Sequence, residues 1–393
     1  MPTTNSRKPL EILAVLGTRP EAIKMAPVIL AARARADTKV TLCNTGQHRD
    51  LVTSALAAFD LVPDIDLAIM APDQSLTDVT TAVLGRLGGG VLETVKPAWV
   101  VVQGDTTTAF AAALAAFYAK IPVAHVEAGL RTGDIHAPWP EEMNRRLISE
   151  VASLHCAPTA LAAANLAREG IAEAQVSVTG NTVIDAVRFV EARLRGDAAF
   201  RAATGRALLA AGCVLPPERS GRVVLVTCHR RESFGAPLAG ICAALRALTQ
   251  EFASDTFVFP LHPNPHLRAA VDTHLRPDKP SNLLLIEALD YVPFVTLMLR
   301  SELLLTDSGG LQEEGVSLGK RVVVMREVTE RTEGLATGLV RMAGMSQALI
   351  REHAAAALTG AWALPARFTN PYGDGMAGRR IVDLLHAHRE IPR

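Results

Sequence analysis

Short aliphatic runs recur along this chain, each closed by glycine or polar residues and followed by a longer segment, usually rich in Ala and Leu, with helical spacing. In the first half they are Ile12–Leu16, Val40–Cys43, Trp99–Val102, Val123–Val126, Leu154–Ala157 and Val176–Val178. In the second half they are Val223–Thr227, Thr256–Leu261, Leu283–Ile286, Leu303–Thr306 and Val322–Met325. Runs that are apolar on both faces predict strands of a parallel sheet covered by helices on each side. Two such series predict an α/β protein of two doubly wound domains. The length of 393 residues agrees with two cores rather than one. The boundary is expected within Asp185–Arg222, where a helical segment runs into Pro216-Pro217 and Ser220-Gly221. This places a first domain at 1–200 and a second at 201–375.

In such folds ligands sit beyond the carboxyl ends of the strands, so the residues just after each run are where chemistry is to be sought. After the first run, Gly17-Thr18-Arg19-Pro20-Glu21-Ala22-Ile23-Lys24 offers only Gly17 to a GxGxxG fingerprint, which argues against a dinucleotide held at this turn. Pro20 suits a helix start, and Arg19 and Lys24 supply two cations able to neutralise a phosphate, or simply solvated charges. Asp105 follows the Trp99 run, as a helix cap or as a reactive carboxylate. Glu127 ends the Val123 run, where a carboxylate must be functional or paired, with Arg131 nearest in sequence. Glu141 and Glu142 follow Pro140, where the partial positive charge of a helix N-terminus accounts for two acids without chemistry.

In the second half, Thr227-Cys228-His229-Arg230-Arg231-Glu232-Ser233 is dense in titratable groups, and His229 is suited to exchanging protons near neutral pH. His262 occupies the same position one strand later. The stretch Leu303–Gly319 reads as a buried strand, a turn at Asp307-Ser308-Gly309-Gly310 and a helix start. It serves equally as an ordinary connection capped by Ser308 or as an anion site built from glycines, free N–H groups and a hydroxyl. The loop Arg326–Glu333 is charged enough to face solvent. Taken together, strand-end groups in both halves describe an anion site with acid/base residues nearby.

Charge and composition narrow the partners. Lys+Arg and Asp+Glu both number 40, for a formal net charge of +0, so no general field favours nucleic acid or an anionic membrane. Five scattered cysteines without a CxxC pair predict reduced thiols in a cytoplasmic protein. The polar N-terminus Met1–Leu10 has no apolar signal region, and no apolar run is long enough to span a membrane. Neither a metal-binding spacing nor another cofactor motif is present, so no metal or cofactor is expected.

The motifs GTRPEAIKMAPV, QGDTTT, HVEAGLRTGD, PWPEEMNR, VTGNTVIDA, HRRESFG, TDSGGLQEE and NPYGDG, in this order over nearly the whole chain, closely resemble those of the bacterial non-hydrolysing UDP-N-acetylglucosamine 2-epimerases. The resemblance implies two Rossmann-like domains facing across a cleft, as in GT-B glycosyltransferases. The C-terminal helix, about residues 376–393, would pack back on the first domain. It also implies a homodimer that interconverts UDP-GlcNAc and UDP-ManNAc by eliminating UDP to 2-acetamidoglucal and adding it back. Residue by residue, Ser308, Gly309, Gly310, Glu314 and Arg331 match contacts to the nucleotide, and Phe294 lies where the family packs uracil. Arg19 and Lys24 match the cations of the first domain, and Asp105, Glu127, Glu141 and His229 match residues implicated in catalysis. Gln47, Glu141 and His262 align with a second UDP-GlcNAc site that activates some members.

Three departures stand out: Asp50 in place of a second Gln, Gln103 where many members have His, and Thr332 where Pro commonly follows the Arg. Asp50 speaks against activation by a second UDP-GlcNAc, while Gln103 and Thr332 leave room for a related UDP-sugar of the diacetamido-uronic acid type. A hydrolysing epimerase, a GT-B glycosyltransferase and a catalytically silent nucleotide-sugar sensor are the competing functions.

Overall fold

The computed structural model describes residues 8–47, 49–217, 221–230 and 235–389. Its described residues fall into two compact units, one reaching to Ala186 and resuming at Tyr372, the other spanning Val187–Pro371.

The first unit is built on seven parallel strands: β1 (Leu10–Leu16), β2 (Thr38–Asn44), β3 (Ile65–Asp66), β4 (Trp99–Gln103), β5 (Val123–Val126), β6 (Leu154–Ala157) and β7 (Val176–Val178). Their order is β3-β2-β1-β4-β5-β6-β7. The central strands are buried along their lengths because helices cover both faces. Helix Thr107–Tyr118 shows why alanine is abundant here: Ala109, Ala111, Ala112, Ala113, Ala115 and Ala116 are all buried, and their small side chains let the helix approach the sheet closely.

The second unit repeats the plan with β8 (Val223–Thr227), β9 (Thr256–Leu261), β10 (Leu283–Glu287), β11 (Ser301–Thr306), β12 (Arg321–Val324) and β13 (Val340–Met342). The order β10-β9-β8-β11-β12-β13 is that of a doubly wound nucleotide-binding sheet. Its core joins Val224, Val226, Leu245, Phe257, Phe259, Leu303 and Leu305.

Every aliphatic run noted in the sequence lies on a strand to within a residue or two. The hydrophobic pattern missed β3 and β13, two short edge strands whose pairing is set by a single neighbour. The chain reverses its direction of winding between β1 and β4 and again between β8 and β11. These are the two topological switch points, and the polar turns of the sequence emerge beside them.

The terminal helix Ala377–Ala387 lies on helix Arg19–Arg33. Asp185 caps it by accepting from Gly378 N at 2.9 Å and Ala377 N at 3.2 Å. A Cβ at Gly378 would stand 2.7 Å from Pro27 O, so glycine is what permits the approach. The five cysteines are free and buried. No described helix is long and apolar enough to cross a membrane.

Candidate active site

At the first switch point Gly17 and Thr18 turn β1 into helix Arg19–Arg33. A fully buried carboxylate, Glu21, organises the turn: Oε2 accepts from Gly17 N at 3.0 Å and Thr18 N at 2.7 Å, and Oε1 accepts from Thr106 Oγ1 at 2.6 Å. Burial pushes the Glu21 carboxyl above its usual range, and these hydrogen bonds offset part of that rise. Glu21 thus ties the turn after β1 to the turn after β4. Gly17 leaves no room for a side chain, since a Cβ would lie 2.2 Å from Thr45 Oγ1. Thr108, in the same cluster, donates to Gln47 Oε1 at 2.8 Å.

Glu127 leaves β5 with a left-handed φ of 65°, a conformation that costs a non-glycine residue roughly 1–2 kcal/mol. Such strain persists where surrounding contacts over-determine it, and here they do. Lys24 Nζ lies 2.5 Å from Glu127 Oε1, Asn181 Nδ2 donates to the same oxygen at 3.1 Å, and Gln103 Nε2 donates to Oε2. The expected partner Arg131 instead pairs with Glu169 at 2.6 Å, because its side chain extends toward the helix that follows β6. Lys24 and Asn181 are far apart along the chain, and only the parallel packing of the sheet brings both to Glu127.

Asp105 sits one strand over. Gly104, at φ +70°, pins this turn by donating its N–H to Val126 O at 3.0 Å. His125 Nε2 lies 2.7 Å from Gly104 O; since a carbonyl only accepts, Nε2 carries the proton. Burial holds His125 down to about 3, so its ring is neutral. Asp105 is not the cap of the following helix: Thr106 takes that role by accepting from Ala109 N at 3.0 Å. Asp105 Oδ2 pairs with Arg145 Nη2, and Asp105 O accepts from Asn144 Nδ2 at 2.9 Å. Arg145 is steadied in turn by Glu142, fully buried and 3.3 Å away, which also accepts from Thr132 N at 3.1 Å. Of the two adjacent acids, Glu142 is therefore the one in this network, while Glu141 is half-buried at the first position of the helix. Arg19 is half-buried at the start of its own helix.

At the second switch point the organising group is Asp307, which is fully buried. Its Oδ2 accepts from His229 N at 2.8 Å and Arg230 N at 2.9 Å, and Oδ1 lies 3.1 Å from His229 Nδ1. Burial opposes its charge, but the His229 side chain and the two N–H donors prevail and hold the carboxyl at about 2. Thr306 Oγ1 accepts from Ser308 N at 2.9 Å, and helix Gly309–Ser317 begins immediately after. Ser308 occupies the cap position without a side-chain cap bond, an arrangement of hydroxyl and first N–H groups able to receive an anion.

The charged loop after β12 faces solvent at Glu327, Val328 and Thr332 but turns Thr329 and Arg331 inward, where Arg331 Nε donates to the buried Glu313 Oε1 at 3.0 Å and Nη1 lies 2.5 Å from Glu330 Oε1. A Cβ at Gly309 would come within 3.3 Å of Arg331 Cζ, which places the guanidinium against the glycine turn. Glu314 is buried on the same helix, and Phe294 is half-buried on helix Tyr291–Arg300. His262 is exposed, its ring centroid 5.9 Å from that of His229. Arg231, Glu232 and Ser233 of the His229 turn lie outside the described residues. Among the described residues no cluster of His, Cys, Asp and Glu is arranged to hold a metal ion.

Glu21, Glu142, Arg145, Asn181 and Asp307 carry roles that the sequence did not reveal. Each stands inside one of the quoted motifs. Thr18-x-x-Glu21 has capping-box spacing, a signal for the local bonds of Glu21 to Gly17 and Thr18, and Glu142–Arg145 is one helical turn apart. By contrast, Thr106 for Glu21, Asp105 for Arg145, Glu127 for Asn181 and His229 for Asp307 are distant in the chain and left no signal in spacing.

Two doubly wound sheets, with paired carboxylates at one switch point and a glycine-opened helix at the other, define the α/β class that binds nucleotides beyond its strand ends. Within that class the chain belongs to the UDP-N-acetylglucosamine 2-epimerase family, whose model matches residues 30–386. A relative from Ralstonia solanacearum, named Probable UDP-N-acetylglucosamine 2-epimerase, is 45% identical over 382 residues, covering 96% of this chain and 99% of its own length. The UDP-N-acetylglucosamine 2-epimerase of Escherichia coli strain K12 is 44% identical over 97% of this chain and 99% of its own length. Among solved structures, the UDP-GlcNAc 2-epimerase of Neisseria meningitidis bound to UDP-GlcNAc superposes with a TM-score of 0.87 at 42% identity, covering 96% of this chain and 100% of that one.

Proposed function

We propose that this protein is a non-hydrolysing isomerase that interconverts UDP-GlcNAc and UDP-ManNAc in the cytoplasm, as a homodimer and without a cofactor. The observation that carries the reading is the pair of carboxylates on adjacent strands, Asp105 after β4 and Glu127 after β5, each beside a cation. A Cβ at Gly104 would lie 3.8 Å from Glu127 Oε2, so Glu127 reaches over the turn that carries Asp105.

In the proposed reaction a carboxylate takes the C2 proton. The C–H electron pair becomes the C1=C2 bond of 2-acetamidoglucal, and the C1–O bond breaks with its electrons passing to the β-phosphate of UDP. Re-addition reverses these steps with the proton delivered to the opposite face of C2, so nothing is oxidised and no water is consumed. The departing UDP gains charge, and the Ser308-Gly309-Gly310 helix start with Arg331 would stabilise it more as product than as substrate. Glu314 and Phe294 would bind the ribose and uracil, and Arg19, Lys24 and His229 would serve the diphosphate and sugar. Exchange at opposite faces calls for two acid/base groups or one mobile group, with general acid/base catalysis worth roughly 10²–10⁴-fold, and Asp105 and Glu127 would be the pair.

The test is incubation with UDP-GlcNAc in D₂O. UDP-ManNAc carrying deuterium at C2 is expected, with no free ManNAc and no need for an acceptor sugar. Absence of both product and label would refute the proposal, and turnover only of a UDP-diacetamido-uronic acid would reassign the substrate.

A further inference from the structure

We infer that Gln103 and Asn181 are positioning residues that hold the Glu127 carboxylate in one orientation, an inference that rests on the proposed role of Glu127. A glutamate side chain has several rotatable bonds, whereas a proton taken from one face of a sugar carbon must travel along a defined line. Glu127 therefore needs restraint on both carboxylate oxygens. The Lys24 cation, at 2.5 Å from Oε1, does not by itself fix the plane of the group. The two amides complete the restraint, Asn181 Nδ2 at Oε1 and Gln103 Nε2 at Oε2.

Both amides are themselves fixed. Gln103 ends β4 in register with Val126, the residue before Glu127, and is only 3% exposed. Asn181 is 2% exposed, and its Oδ1 accepts from Val183 N at 3.0 Å, which commits its Nδ2 to Glu127. Its own N–H donates to Tyr372 O at 2.8 Å, and a Cβ at Gly180 would touch Gly373 Cα at 3.3 Å. The turn that carries Asn181 is thus clamped by the segment through which the chain re-enters the first unit. Neutral amides suit this purpose because they direct a carboxylate without adding charge beside it.

The experiment compares wild type, Gln103→Met, Gln103→His, Asn181→Asp and Glu127→Gln by steady-state kinetics, UDP binding and melting temperature. Gln103→Met keeps the volume and loses the donor. Its kcat should fall roughly 10–100-fold, as misplacement of a reacting group does, while KM, UDP affinity and melting temperature stay near wild type. Gln103→His restores an N–H donor and should recover most of the loss, which filling space alone would not achieve. Asn181→Asp keeps the acceptor for Val183 N but points an oxygen at Glu127, so its kcat should also fall. If Gln103→Met melts well below wild type, Asn181→Asp decides the matter. An active wild type and an inactive Glu127→Gln alongside normal kcat in Gln103→Met and Asn181→Asp would overturn the inference alone. Loss in Gln103→His equal to that in Gln103→Met would overturn the part played by the Gln103 donor. An inactive wild type, or an active Glu127→Gln, would overturn the underlying reading and this inference with it.

Discussion

Replacing Asp307 by Asn removes one charge from the second switch point while keeping its shape. In the native protein the carboxyl is held at about 2 against an ordinary 3.8, despite full burial. At 1.36 kcal/mol per pH unit, that preference for the charged form is worth about 2 kcal/mol. The sign follows from the depression: the contribution is complete well above 3.8, and it is lost as pH falls toward about 2. Asp307→Asn should therefore destabilise the second unit by about 2 kcal/mol at pH 7. The gap should stay level down to about pH 5 and shrink by roughly half at pH 3. A protein of two compact units need not unfold in one step, so amide hydrogen exchange of β8 and β11 is the suitable assay. UDP affinity should fall as well, because Asp307 holds the His229 and Arg230 N–H groups and precedes the Ser308 turn. A gap below about 0.5 kcal/mol at pH 7, or one that does not change between pH 7 and pH 3, would refute the reasoning.

Two further substitutions test the packing. Gly17→Ala would drive a methyl to within 2.2 Å of Thr45 Oγ1 and 2.6 Å of Thr108 Oγ1. It should cost about 1–3 kcal/mol in urea unfolding of the first unit and lower turnover by displacing the turn before Lys24. Gly85→Ala acts in the other direction: the residue is exposed within helix Leu76–Arg86, and no neighbouring atom stands within 4 Å of its Cβ. It should stabilise the first unit by roughly 0.5–1 kcal/mol with kcat unchanged, measured by the same unfolding curves and the epimerase assay.

Much of the fold was legible because strand burial is a local property. Val223–Thr227 and Thr256–Leu261 are strands as read, since four or five apolar residues in a row bounded by polar ones are buried on both faces within a covered sheet. The edge strands Ile65–Asp66 and Val340–Met342 were not legible, because each is short and a charged residue, Asp66 or Arg341, interrupts its apolar run. The strand-end positions were legible for a similar reason: a polar residue that follows a buried strand emerges at its carboxyl end. Asp105, Glu127, His229 and Ser308 were read as strand-end residues in this way, and they follow β4, β5, β8 and β11.

What the residues could not declare was which charge meets which. Arg131 was the nearest cation to Glu127 along the chain, yet Lys24 and Asn181 reach it, and Arg131 turns to Glu169. Asp105 could have been a helix cap, but Thr106 is the cap and Asp105 belongs to Arg145. The sequence by itself determined two doubly wound sheets and the polar turns at their switch points, because hydrophobic period and strand burial are written in consecutive residues. Only the tertiary structure decided the partners of Glu127, Asp105 and Asp307, because a buried carboxylate takes its donors from whatever separate elements the packing brings to it.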